Sequence, residues 1–270
     1  MIEYSINLKS LDFGRLEAVN VLIDYIGLAP VQWLWILLAA VLIGLSRTAI
    51  SGFGMLAVPV LATIFGGKES TGIILPMLIT ADVFAITYFH KKADRKTFSH
   101  LLPWAFGGLA IGMIVGNAIN DRQFQIIIGS IVLVCVLILV LAEIKGNGLK
   151  IPDNMLVYAL IGTTVGFASM VGNSAGPIFW IYLVARSMKK TEFMGTSALF
   201  FFIMNVTKLP LQIFVWDNIR LNTLVPAFIM IPVIIGAAFA GTFIIRRINE
   251  KVFKYIVIAM ILAAAVRLLV

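Results

Sequence analysis

From Val31 to Leu269 the chain is a succession of ten apolar blocks divided by short polar breaks, and few folds accommodate such a pattern. The blocks run at about 31–46, 54–65, 71–90, 101–119, 123–143, 155–170, 176–186, 193–216, 223–245 and 251–269. Six approach the ~20 residues that a helix needs to cross a bilayer. Two pairs are shorter. Blocks 31–46 and 54–65 are joined by RTAISGFG, and blocks 155–170 and 176–186 by SMVGNSAG. Each pair reads as a helical hairpin that enters the membrane and turns near its middle.

Composition agrees. Of 270 residues 61% are hydrophobic and 13% charged, and the mean hydropathy is +1.03. A soluble fold of this size has too little interior for so much apolar surface, so lipid is the solvent for most of it. Disorder, a disulfide scaffold and a nucleic-acid-binding domain are excluded. The net charge of +8 therefore reads as a topology signal rather than as a nucleic-acid footprint. The single cysteine, Cys135, lies in the run IVLVCVLILV and reads as a small hydrophobe.

Residues 1–30 carry Glu3, Asp12, Glu17 and Asp24, with no basic start before an uninterrupted apolar core. They read as an interfacial segment rather than a cleaved leader. Basic residues set the sides. Lys91, Lys92, Arg95 and Lys96 lie in one break, Lys145 and Lys150 in the next, Arg186, Lys189 and Lys190 in a third, and Arg246, Arg247 and Lys251 in a fourth. The breaks at Lys68, Arg122 and Arg220 hold one each. By the positive-inside rule the first group is cytoplasmic and the second is not. The first hairpin then starts and ends outside, the second starts and ends inside, and three spans follow each.

This arrangement is an all-α integral membrane protein of two inverted-topology repeats, each a broken helical hairpin plus three transmembrane helices. The expected units are the N-terminal interfacial segment 1–30, a first repeat 31–145, a cytoplasmic linker 146–154 and a second repeat 155–270. Internal similarity supports the duplication. Glu69-x-x-Gly72 is followed ten residues later by Asp82, and Glu192-x-x-Gly195 ten residues later by Asn205. Gly112-x-x-x-Gly116 likewise matches Ala237-x-x-x-Gly241. Inverted repeats with paired broken helices are a signature of secondary transporters, with the site at the midplane between the halves.

The breaks supply candidate ligand groups. A polar break at membrane depth must line a cavity or be buried in protein. The second helix of each hairpin begins at the tip and points a partially positive N-terminus, with free N–H donors, toward the midplane. Thr48, Ser51, Gly52 and Gly54 at one tip and Asn173, Ser174 and Gly176 at the other would add donors and close backbone approach. Two cations join them, Arg47 at the first tip and Lys208 inside block 193–216. Each costs ~2.5–3.5 kcal/mol in a membrane unless compensated. Arg47 offers a planar fork for carboxylate, sulfonate or phosphate oxygens, or pairs structurally with Asp82. Lys208 binds a ligand, or carbonyls freed near Pro210. Asp82 is either a proton carrier or a partner for Lys208, whose helix face Asn205 shares.

Other features read more simply. His90 and His100 flank the basic loop as interfacial residues, and no metal-ligand set accompanies them. Trp33, Trp35, Trp216 and Trp104 fall where an aromatic belt belongs. Phe200, Phe201 and Phe202 read as packing or lipid-facing groups. Gly108, Gly112 and Gly116 form a stripe for close helix contact, within the chain or between protomers of a homodimer.

The segments GLSRTAISGFGMLAVPVLA, ESTGIILPMLITADVFAITYF, SMVGNSAGPIFWIYLVA and EFMGTSALFFFIMNVTKLP resemble the sulfite exporter TauE/SafE family, also called the 4-toluene sulfonate uptake permeases. The resemblance runs from about residue 33 to the C-terminus. It implies a multi-pass carrier in the bacterial inner membrane, moving sulfite, sulfoacetate or another sulfonate. Methionine and leucine follow Gly54 here, where many members have a richer glycine run. The resulting expectation is alternating access around Arg47, both tips, and Lys208 with Asn205, without cofactor or metal. An anion channel and a proton-coupled importer of small organic anions are the alternatives. An enzyme is not expected, because the sequence carries no nucleophile–base pair, metal cluster or cofactor motif.

Overall fold

The computed structural model describes residues 27–49, 53–65, 67–115, 122–123, 126, 137 and 152–269. The expected interfacial segment up to residue 26, Gly116, most of the block 123–143 with Cys135, the linker 146–154 up to residue 151, and Ser51 and Gly52 lie outside the described residues. The rest is helical: α1 Pro30–Thr48, α2 Phe53–Phe65, α3 Gly67–Phe89, α4 Arg95–Val115, α5 Met155–Gly172, α6 Gly176–Ala185, α7 Lys190–Phe214, α8 Leu221–Ile229, α9 Ile231–Arg247 and α10 Glu250–Leu269. Among the described residues, five helices are long and apolar enough to cross a membrane, and the α8–α9 pair makes a sixth.

Several helices extend beyond their apolar blocks because polar side chains cap them. α4 begins at Arg95 rather than 101: Asp94 Oδ1 accepts from the Lys96 amide at 3.0 Å, and Oδ2 from the Thr97 hydroxyl at 2.6 Å. Asn154 caps α5 through the Val157 amide at 3.0 Å. The first arm of each hairpin is also longer than a half-span, 19 residues in α1 and 18 in α5, so only the return arms are short. Ser46 and Thr48 stay helical because their hydroxyls donate to Ile43 O and to the Gly44 and Ala238 carbonyls. The expected single span 223–245 is two helices bent by 47°. Pro232 is the cause, since it has no N–H for the Phe228 carbonyl and its ring crowds that turn.

Glycine stripes set the closest contacts. A Cβ on Gly166 of α5 would lie 2.0 Å from the Ala105 carbonyl oxygen of α4, and one on Gly108 2.1 Å from that of Thr163. Gly108 and Gly112 thus pack within the chain, against α5. The pair α1–α9 is built alike: a Cβ on Gly44 would meet the Ile234 oxygen at 2.5 Å, and one on Gly241 the Thr48 hydroxyl at 2.2 Å. With backbones so near, dispersion and weak polar contacts replace the hydrophobic drive that lipid does not supply.

Two apolar cores result. One gathers α1, α2 and α3 against α8 and α9, through Ile36, Ile43, Leu61, Ile73, Met77 and Ile234. The other gathers α5, α6 and α7 against α4 and α10, through Leu109, Phe179, Trp180, Phe200 and Phe253. Each hairpin is therefore sheathed by a helix from the opposite half. The exchange is reciprocal: Gly72, near the start of α3, abuts Asn218 after α7, while Gly195 in α7 abuts Phe89 at the end of α3 and Ala93 beyond it.

The basic breaks converge at one end of the bundle. The Asp94 amide donates to Thr196 Oγ1 at 2.9 Å, and the Lys190 amide to Glu250 Oε2 at 2.7 Å. Asp153 accepts from Lys96 Nζ at 3.1 Å, lies 3.7 Å from Arg186 and bonds the Tyr158 hydroxyl. His100 stacks on Tyr158, ring centroids 4.9 Å apart. At the far end, Asn218 Nδ2 donates to Thr71 Oγ1 at 2.7 Å, and Arg220 pairs with Asp217 at 2.7 Å. Trp35 is exposed as a belt residue should be, but Trp216 is buried. Trp216 follows α7 directly, where the chain folds back over the helix end, which takes the indole out of the lipid face.

Candidate functional site

The ends of α1 and α5 and the starts of α2 and α6 meet α3 and α7 around one buried polar cluster. Asp82 of α3 is fully buried, and its Oδ1 lies 2.9 Å from Arg47 Nε. Its Oδ2 accepts from Asn205 Nδ2 at 2.6 Å. The two positions matched by the internal sequence similarity thus bond each other across the interface of α3 and α7. A carboxylate without such partners would not stay charged at this depth. The guanidinium also covers the face of Phe201, its Cζ 4.8 Å from the ring centroid.

Lys208 is 1% exposed and is held by the second tip. Its Nζ donates to the Ser169 carbonyl at 3.1 Å and to Asn173 Oδ1 at 2.6 Å. Asn173 ends α5 in the left-handed region, φ 51°, a conformation asparagine tolerates. That turn, closed by Ser174 N donating to Ala168 O at 3.1 Å, brings the amide side chain to the ammonium. The carbonyl that receives Lys208 belongs to the C-terminal end of α5, where partial negative charge favours a cation. The partner expected near Pro210 is therefore supplied by the hairpin, and Asp82 bonds Arg47 rather than Lys208.

Between these groups lies a cavity of about 30 Å³, room for about two waters. Of the expected site residues, Arg47, Gly54, Asn173, Gly176, Asn205 and Lys208 line it. Asp82 stands one contact behind, on Arg47 and Asn205. Thr48 and Ser174 are not brought to it. Thr48 binds Ala238 O on α9 at 2.8 Å, and Ser174 turns its hydroxyl back to Gly172 O at 2.9 Å. Ser51 and Gly52 lie outside the described residues.

Ser46, Ser169, Trp180 and Phe201 also line the cavity and were not anticipated. Helical spacing carries the missing signal: Phe201 precedes Asn205 by four residues, Trp180 follows Gly176 by four, and Ser169 precedes Asn173 by four. Two lining residues hold spare donors. Trp180 Nε1 and Asn173 Nδ2 are buried and have no hydrogen-bond partner among the described residues. The start of α6 stands here too, with Ala175 and Gly176 on the wall. A Cβ on Gly176 would press within 2.7 Å of the Trp180 ring.

The cluster holds two cations against one carboxylate. In their ordinary charge states these groups leave one formal positive charge beside unpartnered N–H donors and a helix N-terminus. Such a site suits a small anion with several oxygens.

The family model of the sulfite exporter TauE/SafE family matches residues 36–268, nearly the whole chain. No curated protein and no solved structure matches the chain at a significant level. The chain belongs to the sulfite exporter TauE/SafE family, whose members are membrane transporters of sulfur-containing anions.

Proposed function

We propose that this protein exports small sulfur-containing anions, sulfite or an organosulfonate, across a bacterial inner membrane by alternating access. The observation that supports this most is the unbalanced charge at the cavity, Arg47 and Lys208 against Asp82 alone. In the proposed cycle the anion enters between the tips, where Arg47 and Lys208 balance its charge. Asn173, Trp180 and the first N–H groups of α6 supply hydrogen bonds. The lipid-facing helices and the opposed hairpins then rock about this point. The reciprocal packing of Gly72 on the chain after α7, and of Gly195 on the chain after α3, supports reading 31–145 and 155–270 as inverted repeats. The gathering of basic loops at one end supports placing that end in the cytoplasm.

Export needs no coupling ion, since expelling one negative charge down an inside-negative potential gains ~2.3 kcal/mol per 100 mV. Import would need one, and Asp82 is positioned to supply it. A proton on its carboxyl would remove the charge that occupies Arg47 and free the guanidinium for substrate. Asp82→Asn separates the two. Under export, flux persists with an unchanged pH profile; under proton-coupled import, the pH dependence of flux disappears.

The small size of the cavity, about 30 Å³, supports a carrier over a pore. In liposomes a carrier gives saturable sulfite or sulfonate flux, with little chloride or acetate flux. Equal, unsaturable flux of all four anions would make it a channel.

A further inference from the structure

One face of α7 carries more polar atoms than the central cavity uses. Ser197, Phe201, Asn205, Lys208 and Gln212 follow each other at helical spacings of three and four, and so project from one face. The middle three line the cavity. Ser197 flanks them toward the basic end and Gln212 toward the far end, about 22 Å apart at about 1.5 Å of rise per residue.

Both flanking residues have unpartnered polar atoms. Gln212 is 0% exposed, and neither its Nε2 nor its Oε1 has a hydrogen-bond partner among the described residues. The buried Ser197 Oγ has none either. This is not how hydroxyls in this chain usually behave. Those of Ser46, Thr80, Thr164, Thr207 and Thr242 each donate to a carbonyl of their own helix. An apolar side chain at either position would avoid the desolvation cost of an unsatisfied polar group, so packing alone does not account for them.

Each also lies beside a contact that ties its end of the helix to the neighbouring chain. The Asn218 amide donates to the Gln212 carbonyl at 3.2 Å, which folds the 215–220 loop over that end of the helix. At the other end Thr196, next to Ser197, accepts from the Asp94 amide at 2.9 Å. An amide and a hydroxyl donate without net charge, so they would hold an oxyanion more weakly than Lys208 does and release it readily.

We infer that Ser197 and Gln212 are further anion-contacting residues, Gln212 serving the path between the cavity and the far end, and Ser197 the path to the basic end. The inference rests on the transport reading above.

The test is initial sulfite flux into and out of liposomes holding protein of one orientation, with sulfite varied on each side in turn. Gln212→Leu should raise the half-saturating sulfite concentration about tenfold from the far-end side and leave the basic-end value near wild type. Ser197→Ala should do the reverse. Melting temperatures in detergent at or above wild type for both variants separate this from a folding defect. Should Gln212→Leu fail to fold, Gln212→Glu keeps the shape and adds a repelling charge, and should suppress far-end entry more than tenfold. Folded variants with wild-type half-saturation from both sides overturn the inference while leaving transport intact. Wild-type protein without saturable sulfite flux overturns the transport reading, and this inference with it.

Discussion

Asp82 shows how one residue is made tolerable in a membrane and what that arrangement costs. Its two oxygens are taken by Arg47 and Asn205, so the ion is compensated as long as both partners stay. Removing one partner of such a pair typically costs about 3–5 kcal/mol, because the other is left buried and charged. Asp82→Ala should therefore lower the melting temperature in detergent more than Asp82→Asn, which also leaves Arg47 without its counter-charge but keeps the shape and a partner for Asn205. Trp180 presents the opposite case. Its Nε1 has no partner among the described residues, so Trp180→Phe should leave the melting temperature within a few degrees of wild type and weaken sulfite binding about tenfold. The charged members of the site were legible in the sequence, because Arg47, Asp82 and Lys208 are conspicuous where each ion costs several kcal/mol. Trp180 and Phe201 were not, since an aromatic residue inside an apolar run has the same signature whether it packs or lines a cavity.

Between helices, the α4–α5 contact decides the packing of half the bundle. A side chain on Gly166 would meet the Ala105 backbone at 2.0 Å, whereas one on Gly107 would meet nothing within 4 Å. Gly166→Val should destabilise by about 3 kcal/mol or more. Gly107→Ala should be neutral, or stabilising by up to about 1 kcal/mol. Melting in detergent compares the two. Asp153 ties α4, α5 and the end of α6 together at the basic end. The hydrogen bond from Lys96, above all, holds its carboxyl below the ordinary value of 3.8. A depressed folded value means that the contribution to stability is present above about pH 4 and is lost as pH falls below it. Asp153→Asn should therefore lower the melting temperature at neutral pH and narrow its drop on acidification, by a small amount for so exposed a pair.

Element identity followed from hydropathy alone, while element ends did not. Apolar runs mark what faces lipid or core, and they stop where caps such as Asp94 and Asn154 carry a helix on through polar residues. The same gap made α1 look like a half-span, because Ser46, Arg47 and Thr48 read as a break when the two hydroxyls bond carbonyls of the helix and of α9 and Arg47 pairs with Asp82. Pro232 was visible from the start. The 47° bend it causes depends on its place in the first turn of α9, three residues past the end of α8, which composition does not register.

Across the whole molecule, the pattern is one of exchange. Each hairpin is sheathed by helices of the opposite half, each Glu-x-x-Gly opening rests on the chain leaving its counterpart, and Asp82 and Asn205 bond at the centre. An internal similarity of a few residues suggested two related halves, and the contact of Asp82 with Asn205 joins two of the positions it matched. That the halves interlock rather than sit side by side is a property of packing, which a linear motif does not carry. Interlocked halves around a cationic cavity make that cavity the place where any rocking of one half against the other is felt. Arg47 is the cation at the first tip, and its guanidinium is the partly accessible member of the ion pair with Asp82. The most direct measurement is sulfite flux into liposomes by wild-type protein and Arg47→Ala, scaled to the amount of folded protein in each. Saturable flux in the wild type, reduced at least tenfold in the variant, is the result this account predicts. Equal saturable flux in both would contradict it and move the anion site away from the hairpin tips.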